Sequence, residues 1–131
     1  MTDEQLIDAA RNMLQYSYSP YSHFRVGAAL LSSDGRVFTG CNIENAAYGP
    51  SMCAERVAFF NAVSTGVRGF AAIAIVGGRD GVITDYCPPC GVCRQVMSEF
   101  CKGDFRIILT NGSGKVKVKT LDELLPERFS L

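Results

Sequence analysis

The order in which helical and extended patterns follow one another is the strongest constraint on the fold of this chain. A capping-box pattern, Thr2 followed by Gln5, precedes five apolar residues at helical spacing, which are Leu6, Ile7, Ala10, Met13 and Leu14. This pattern predicts an amphipathic helix that ends near Tyr16. Two extended segments, residues 26–31 and 36–41, then flank Asp34-Gly35 and predict a β-hairpin with a two-residue turn.

The rest of the chain alternates between the two patterns. Helices are expected from about Cys53 towards Val63, at 90–101 and at 121–125, and strands are expected at 70–76, 105–110 and 116–119. A hairpin followed by strands joined through helices predicts an α/β protein, a three-layer α/β/α sandwich with a mixed five-stranded sheet. The 131 residues, 47% of them hydrophobic, suffice for one buried core, so residues 1–131 are expected to form a single domain.

The charge balance argues against a nucleic-acid polymer or a membrane as the partner. Lysine plus arginine equals aspartate plus glutamate at 13 each, and the chain has no long basic block. Asp3 and Glu4 stand where a secretory signal would carry basic residues, and no apolar stretch reaches the length of a membrane span. We therefore expect a cytoplasmic protein, in which six cysteines indicate metal binding or catalysis rather than disulfides.

Four of the six cysteines lie where two helices are expected to begin. Cys53 precedes one helix, whereas Cys87, Cys90 and Cys93 lie in the segment Cys-Pro-Pro-Cys-Gly-Val-Cys that begins another. The spacing of Cys90 and Cys93 places both sulfurs on one helical turn. Because the positive end of a helix dipole favours the thiolates that bind zinc, the pattern predicts a metal site.

The number of cysteine ligands decides between a catalytic and a structural zinc site. The catalytic alternative uses three sulfurs, those of Cys53, Cys90 and Cys93. Its fourth position stays open for water, and Glu55 is close enough to act on that water. A fourth ligand, Cys87, would close the site, but the two prolines after it hold that stretch extended and favour the open arrangement. Arg56, three residues after Cys53, can reach its sulfur and offset part of the thiolate charge.

Two short motifs carry a resemblance to a known family. Cys53-Ala54-Glu55 and Pro89-Cys90-x-x-Cys93-Arg94-Gln95 resemble the zinc signature of the cytidine deaminase family in its small, all-cysteine form. The histidine that is usual as the first ligand is replaced by Cys53, and the single histidine, His23, lies far from the signature. Three further segments extend the resemblance over nearly the whole chain: residues 20–29, 40–49 and 123–129.

The resemblance implies a zinc-dependent cytidine deaminase of pyrimidine salvage, with one Zn²⁺ per subunit. The implied reaction is hydrolysis of cytidine and 2′-deoxycytidine to the uracil nucleosides with release of ammonia. In that reaction zinc-activated water attacks the ring and Glu55 moves the protons. The implied metal ligands are Cys53, Cys90 and Cys93, and Arg56 lies beside them.

The resemblance also implies the substrate contacts and the assembly. By position, Phe24 would stack on the pyrimidine, Asn42 and Glu44 would bind ribose hydroxyls, and the main chain at Ala54 would meet the base edge. Three more positions match residues that reach a neighbouring subunit's pocket: Ala46, Tyr48 and Phe129. The implied assembly is a homotetramer whose pockets are shared between subunits. A carboxylate at the sugar, that of Glu44, would repel a nucleotide phosphate.

Other interpretations of the same residues stay open at this point. The cysteine cluster alone is also typical of a structural zinc site in a non-catalytic binding module, and residues 87–93 resemble part of an iron–sulfur motif. A redox C-x-x-C would leave Cys53-Ala54-Glu55 without a role. Among enzymes, a deaminase of an aminonucleoside antibiotic is the nearest competitor, although Asn42-x-Glu44 favours a ribose. Cys41 and Cys101 fall on apolar elements and are expected to be buried.

Overall fold

The computed structural model describes all 131 residues, which form four α-helices and five β-strands. The helices are α1 (Asp3–Asn12), α2 (Ala54–Ser64), α3 (Gly91–Phe100) and α4 (Leu121–Leu124). The strands are β1 (Phe24–Ser32), β2 (Val37–Cys41), β3 (Phe70–Arg79), β4 (Arg106–Thr110) and β5 (Val116–Thr120). Judged by length and hydropathy, none of the helices could cross a membrane.

The five strands form one mixed sheet in the order β2-β1-β3-β4-β5. Strand β1 pairs antiparallel with both β2 and β3, and β4 pairs antiparallel with β5. Strands β3 and β4 are parallel, and α3 lies in the crossover that a parallel pair requires. The predicted mixed five-stranded sheet is confirmed.

Helices cover both faces of this sheet. Successive side chains of a strand point to opposite faces, so β3 contributes to two cores. The core of 14 buried residues includes Phe59 of α2, Met97 of α3 and Ile73 of β3. The core of nine buried residues on the other face includes Leu6 of α1 and Ala74 of β3. The three-layer α/β/α arrangement is therefore the one that the sequence predicts.

The hairpin between β1 and β2 differs from the prediction. The backbone N–H of Ser32 donates to the carbonyl of Arg36 at 2.8 Å, so three residues, 33–35, form the loop. Gly35 has a φ of 91°, the left-handed conformation that ends a three-residue loop. The Ser32 side chain also bonds the backbone N–H of Arg36 and the carboxylate of Asp34, which stabilises this longer loop. The expected two-residue turn is wrong.

The first helix begins as predicted and ends sooner. The reciprocal hydrogen bonds of the capping box between Thr2 and Gln5 are both present. The α-helix stops at Asn12, and the chain continues to Tyr16 as a tighter 3-10 turn.

Helix α2 packs closely on β2 because Gly40 has no side chain. A Cβ built at Gly40 would lie 2.6 Å from the backbone nitrogen of Ala58 and 3.0 Å from Cβ of Val57, and closer still to the carbonyl of Ala54. The glycine therefore sets the distance between the sheet and the first turn of α2. That turn follows Cys53 directly and contains Glu55.

Candidate metal centre and active site

Three cysteine sulfurs meet at the starts of α2 and α3. Cys53 is the N-cap residue of α2, Cys90 is the N-cap residue of α3, and Cys93 lies in the first turn of α3. The sulfur of Cys90 lies 3.7 Å from that of Cys53 and 3.3 Å from that of Cys93, and all three lie within 4.8 Å of one another. Tetrahedral thiolates about 2.3 Å from zinc are about 3.8 Å apart, so these sulfurs fit one zinc ion.

The surroundings of Cys53 favour its thiolate form. The nearby thiol of Cys93, together with Arg56, lowers the pKa of Cys53 although burial acts in the opposite direction. The proximity of Cys53 in turn raises the pKa of Cys93. Arg56 Nη2 donates to Cys53 Sγ at 3.3 Å, which confirms the contact expected from their spacing. The positive ends of both helix dipoles add to this stabilisation of negative charge.

The sulfur of Cys87 does not belong to this group. A Cβ built at Gly77 would lie 2.8 Å from Cys87 Sγ and 3.0 Å from Phe24 Cε1, which places both the Cys87 sulfur and the Phe24 ring against Gly77 of β3. Burial raises the pKa of Cys87 to about 12, so its thiol stays neutral. This geometry agrees with a three-sulfur site that keeps one position open.

Glu55 is the buried acid beside the three sulfurs. It is the second residue of α2, is 4% exposed, and lines the same cavity as Cys53 and Cys90. Burial raises the pKa of Glu55 to about 7, and the negative charge of Cys53 acts in the same direction. A carboxyl group whose pKa lies near neutrality can both accept and release a proton. Glu55 therefore has the property that a general acid–base needs.

A cavity of about 350 Å³ opens at the start of α2. Seven of the residues singled out from the sequence line it: Asn42, Glu44, Cys53, Ala54, Glu55, Arg56 and Cys90. The sequence analysis did not assign the other lining residues to a pocket: Val26, Ser51, Met52, Cys87 and Pro88. A serine or methionine in a loop gives no sequence signal of a pocket. Of these five residues, only Cys87 was considered from the sequence as a residue of the metal site.

Asn42 ties the start of β1 and the loop before it to the edge of the cavity. Its Oδ1 accepts from the backbone N–H of Val26 at 2.9 Å and from the hydroxyl of Ser17, while its Nδ2 donates to the carbonyl of Phe24 at 2.8 Å. One N–H of the amide remains for a ligand. Ser17 is buried, and its role was not predictable because its partner lies 25 residues away.

Glu44 holds the same loop from a second point. Its Oε1 accepts from the backbone N–H groups of Tyr21 at 3.0 Å and Ser22 at 3.1 Å. The hydrogen bonds from Ser22 lower the pKa of Glu44, so the carboxylate is ionised at neutral pH. Its Oε2 accepts no hydrogen bond from the protein and is available to a ligand hydroxyl.

The remaining sequence-predicted residues lie outside the cavity. Phe24 lies beside Cys87, against Gly77. Tyr48 lines an adjoining depression that shares Glu44 and Ser51 with the cavity. Ala46 is exposed, and Phe129 is 68% exposed on the C-terminal segment. These last two residues do not contribute to the cavity of their own chain.

The two remaining cysteines lie away from the metal centre. Cys41, at the end of β2, is buried as predicted. Cys101 is partly buried and packs against the larger core. All six cysteines are unpaired.

The comparison with known families covers the whole metal centre. Residues 1–109, which include all three sulfurs and Glu55, match the family described as "Cytidine and deoxycytidylate deaminase zinc-binding region". The chain belongs to this family. Together with the spacing of the three sulfurs, membership of the cytidine and deoxycytidylate deaminases identifies the cluster as a zinc site with one ion per chain.

Individual relatives in this deaminase family match almost end to end. A cytidine deaminase of Sporosarcina psychrophila is 49% identical over 130 residues, which is 99% of this chain and 93% of the relative. The 1.6 Å crystal structure of cytidine deaminase from Burkholderia pseudomallei superposes with a TM-score of 0.91 at 49% identity, covering 98% of this chain and 100% of that one. A blasticidin-S deaminase of Bacillus cereus is 30% identical over 132 residues, which is 98% of this chain and 92% of the relative.

Proposed function

We propose that this chain hydrolyses cytidine and 2′-deoxycytidine to uridine and 2′-deoxyuridine, with release of ammonia. One juxtaposition carries the proposal: the buried carboxyl group of Glu55 shares a cavity with two of the three sulfurs that fit zinc. Hydrolytic deamination needs an activated water and a group that carries protons from oxygen to nitrogen. The cytidine deaminases among the relatives support the same reaction.

Glu55 is the proton carrier in this proposal. Zinc bound by Cys53, Cys90 and Cys93 would supply a Lewis acid that lowers the pKa of a bound water. Glu55 would take a proton from the attacking water as its oxygen bonds to C4 and deliver that proton to ring N3. It would then take the remaining proton of the new C4 hydroxyl and deliver it to the amine, which leaves as ammonia while the C4 carbonyl forms. One carboxyl group serves both directions because the proton that it takes as a base makes it the acid for the next transfer. Arg56 offsets part of the negative charge of the thiolates, which otherwise makes the water less acidic.

Asn42 and Glu44 would recognise the sugar. The free amide N–H of Asn42 can donate to one ribose hydroxyl, and the free Oε2 of Glu44 can accept from another. The backbone at Ala54 would bind the base edge, and Phe24, which lies against Gly77 together with the cavity-lining Cys87, would stack on the pyrimidine. Because Glu44 is ionised, its charge also disfavours a nucleotide phosphate near the sugar, so the free nucleoside is the preferred substrate.

We also propose that the active protein is a homotetramer in which each pocket is completed by neighbouring copies. Tyr48 and Phe129 are large aromatic side chains that are 75% and 68% exposed. With Ala46, they would reach the pocket of a neighbour. Residues 1–131 would form one catalytic domain, acting in the cytoplasm in pyrimidine salvage.

A second candidate substrate is an aminonucleoside antibiotic. The 30% identity to the blasticidin-S deaminase of Bacillus cereus favours this candidate, because such a substrate would use the same metal and proton chemistry. The free hydrogen-bonding positions on Asn42 and Glu44 argue for a ribose instead. Comparing kcat/KM for cytidine, deoxycytidine and blasticidin S decides between the two substrates.

The loss of the cytidine absorbance band tests the proposed function. Purified, zinc-loaded protein should convert cytidine, and Glu55→Gln should lower kcat roughly 100- to 10,000-fold while zinc content stays the same. Glu99→Gln is the matched control, because Glu99 is an exposed acid on α3 outside the cavity. Near-normal turnover by a zinc-loaded Glu55→Gln variant would refute the role of Glu55. No turnover by the wild type would refute the proposed function itself.

A further inference from the structure

Two side chains of α3 that the proposed chemistry does not use connect this helix to the C-terminal segment, residues 121–131. Arg94 Nη1 donates to the carbonyl of Leu124 at 2.6 Å, and Arg94 Nε donates to the carbonyl of Pro89 at 2.8 Å. Gln95 Nε2 donates to the carbonyl of Phe129 at 3.1 Å. Arg94 and Gln95 are the two residues that follow the zinc ligand Cys93 in the chain.

The guanidinium of Arg94 connects the residue before the start of α3 to the end of α4. Pro89 precedes the zinc ligand Cys90, and Leu124 is the last residue of α4, where helix carbonyls lack partners within the helix. A charged donor that satisfies both carbonyls holds them in one geometry. The start of α3 and the end of α4 are therefore fixed relative to each other through Arg94.

Hydrogen bonds rather than packing hold the end of the C-terminal segment. Phe129 is 68% exposed, so its ring buries little surface on its own chain. The bond from Gln95 fixes its backbone, and an ion pair of 2.6 Å between Arg128 and Asp122 holds the preceding residue against α4. Polar contacts thus fix the backbone around Phe129 and leave its ring uncovered. Its ring is exposed to solvent on the surface of its own chain.

We propose that Arg94 and Gln95 are positioning residues for the deaminase reaction. They hold the C-terminal segment on the helix that supplies Cys90 and Cys93, so that Phe129 is presented in a fixed position to the pocket of a second copy of the chain. The role of Phe129 in that pocket rests on the proposed function. Neither Arg94 nor Gln95 lines the cavity, so releasing the segment weakens substrate binding and leaves the chemical step intact.

The Gln95→Ala variant tests this role with little risk to folding, because Gln95 is exposed. The matched control is Gln15→Ala, which removes another side-chain bond to a backbone carbonyl, that of Asn12, far from α3. We expect Gln95→Ala to raise KM for cytidine about fivefold, with kcat and zinc content unchanged. The backbone order parameters of residues 127–131, measured by ¹⁵N relaxation, should fall in Gln95→Ala only.

Arg94→Lys tests the bridge between the two carbonyls. A lysine ammonium cannot reproduce the fork that reaches Pro89 and Leu124 together. The matched control is Arg68→Lys, because Arg68 also donates to two backbone carbonyls but does so at the end of α2. Arg94→Lys should raise KM and lower the backbone order parameters of residues 121–131, whereas Arg68→Lys should change neither.

A double-variant cycle separates positioning from a general structural effect. If Gln95 acts through Phe129, Gln95→Ala combined with Phe129→Ala should raise KM no further than Phe129→Ala alone. Fully additive changes, or lowered order parameters with an unchanged KM, would overturn the proposal. If the wild type fails to deaminate cytidine, the proposed function is refuted and the positioning role with it. The order parameters still report whether the two side chains hold the segment.

Discussion

Replacing Gly40 with alanine is expected to displace α2 from the sheet and so distort the metal centre. The added methyl group would meet backbone atoms of α2, including the nitrogen of Ala58 at 2.6 Å, where ordinary contact begins at 3.4 Å. Backbone atoms cannot rotate away as a side chain does. The helix must therefore retreat by about 0.8 Å or more, measured against ordinary van der Waals separation.

This displacement matters because the zinc ligands are divided between two helices. Cys53 and Glu55 move with α2, whereas Cys90 and Cys93 stay with α3. A shift of about 0.8 Å exceeds the tolerance of about 0.2 Å in metal–ligand distances. We expect Gly40→Ala to cost about 1–3 kcal/mol of stability and about 100-fold in kcat/KM, with weakened zinc affinity.

The assay combines zinc affinity from competition with a chelator, urea unfolding and kcat/KM for cytidine. Gly91→Ala is the control, because Gly91 lies between Cys90 and Cys93 and yet a Cβ there meets nothing within 4 Å. It should resemble the wild type in all three measurements. A folded Gly40→Ala variant with wild-type zinc affinity and kcat/KM would refute the claim that this contact sets the position of α2.

Three further predictions concern the cavity. Cys87→Ser should keep zinc content and kcat close to those of the wild type, because its sulfur lies outside the metal group; loss of zinc from a folded variant would show a fourth ligand. Glu44→Gln should raise KM for cytidine roughly 10-fold or more, and should reduce the ratio of kcat/KM for cytidine to kcat/KM for cytidine 5′-monophosphate. An unchanged ratio would count against charge repulsion by Glu44. In zinc-free protein, burial raises the pKa of Glu55 from 4.5 to about 7, so the folded state favours the neutral carboxyl. Its stability contribution is complete below pH 4.5 and is lost, by about 3 kcal/mol, as the pH rises through 7. Urea unfolding in chelator should therefore show the wild type losing stability relative to Glu55→Gln over this range, and parallel pH profiles would contradict the assignment.

The sequence predicted the elements and layers well because the signals that define them are local. The capping box at Thr2, the run of apolar residues in β3 and the cysteines at the starts of α2 and α3 can each be identified within a few residues. The hairpin turn was the exception. Asp34-Gly35 is compatible with two loop lengths, and the hydrogen bonds of Ser32 decide between them.

The metal centre was largely predictable, whereas the long-range hydrogen bonds that organise the segments around it were not. Cys53, Cys90 and Cys93 occur in short motifs whose spacing places the sulfurs together. The bonds from Asn42 to Ser17 and from Arg94 to Leu124 join residues 25 and 30 positions apart. Only the fold brings such partners together, and a polar residue in a loop gives no sign of the distant group it bonds.

Zinc X-ray absorption on the purified protein tests most directly how the ion is held. Three sulfur ligands at about 2.3 Å and one oxygen or nitrogen ligand at about 2.0–2.2 Å are expected, because only Cys53, Cys90 and Cys93 converge. Four sulfur ligands would contradict a site with an open position, and with it the role assigned to Glu55.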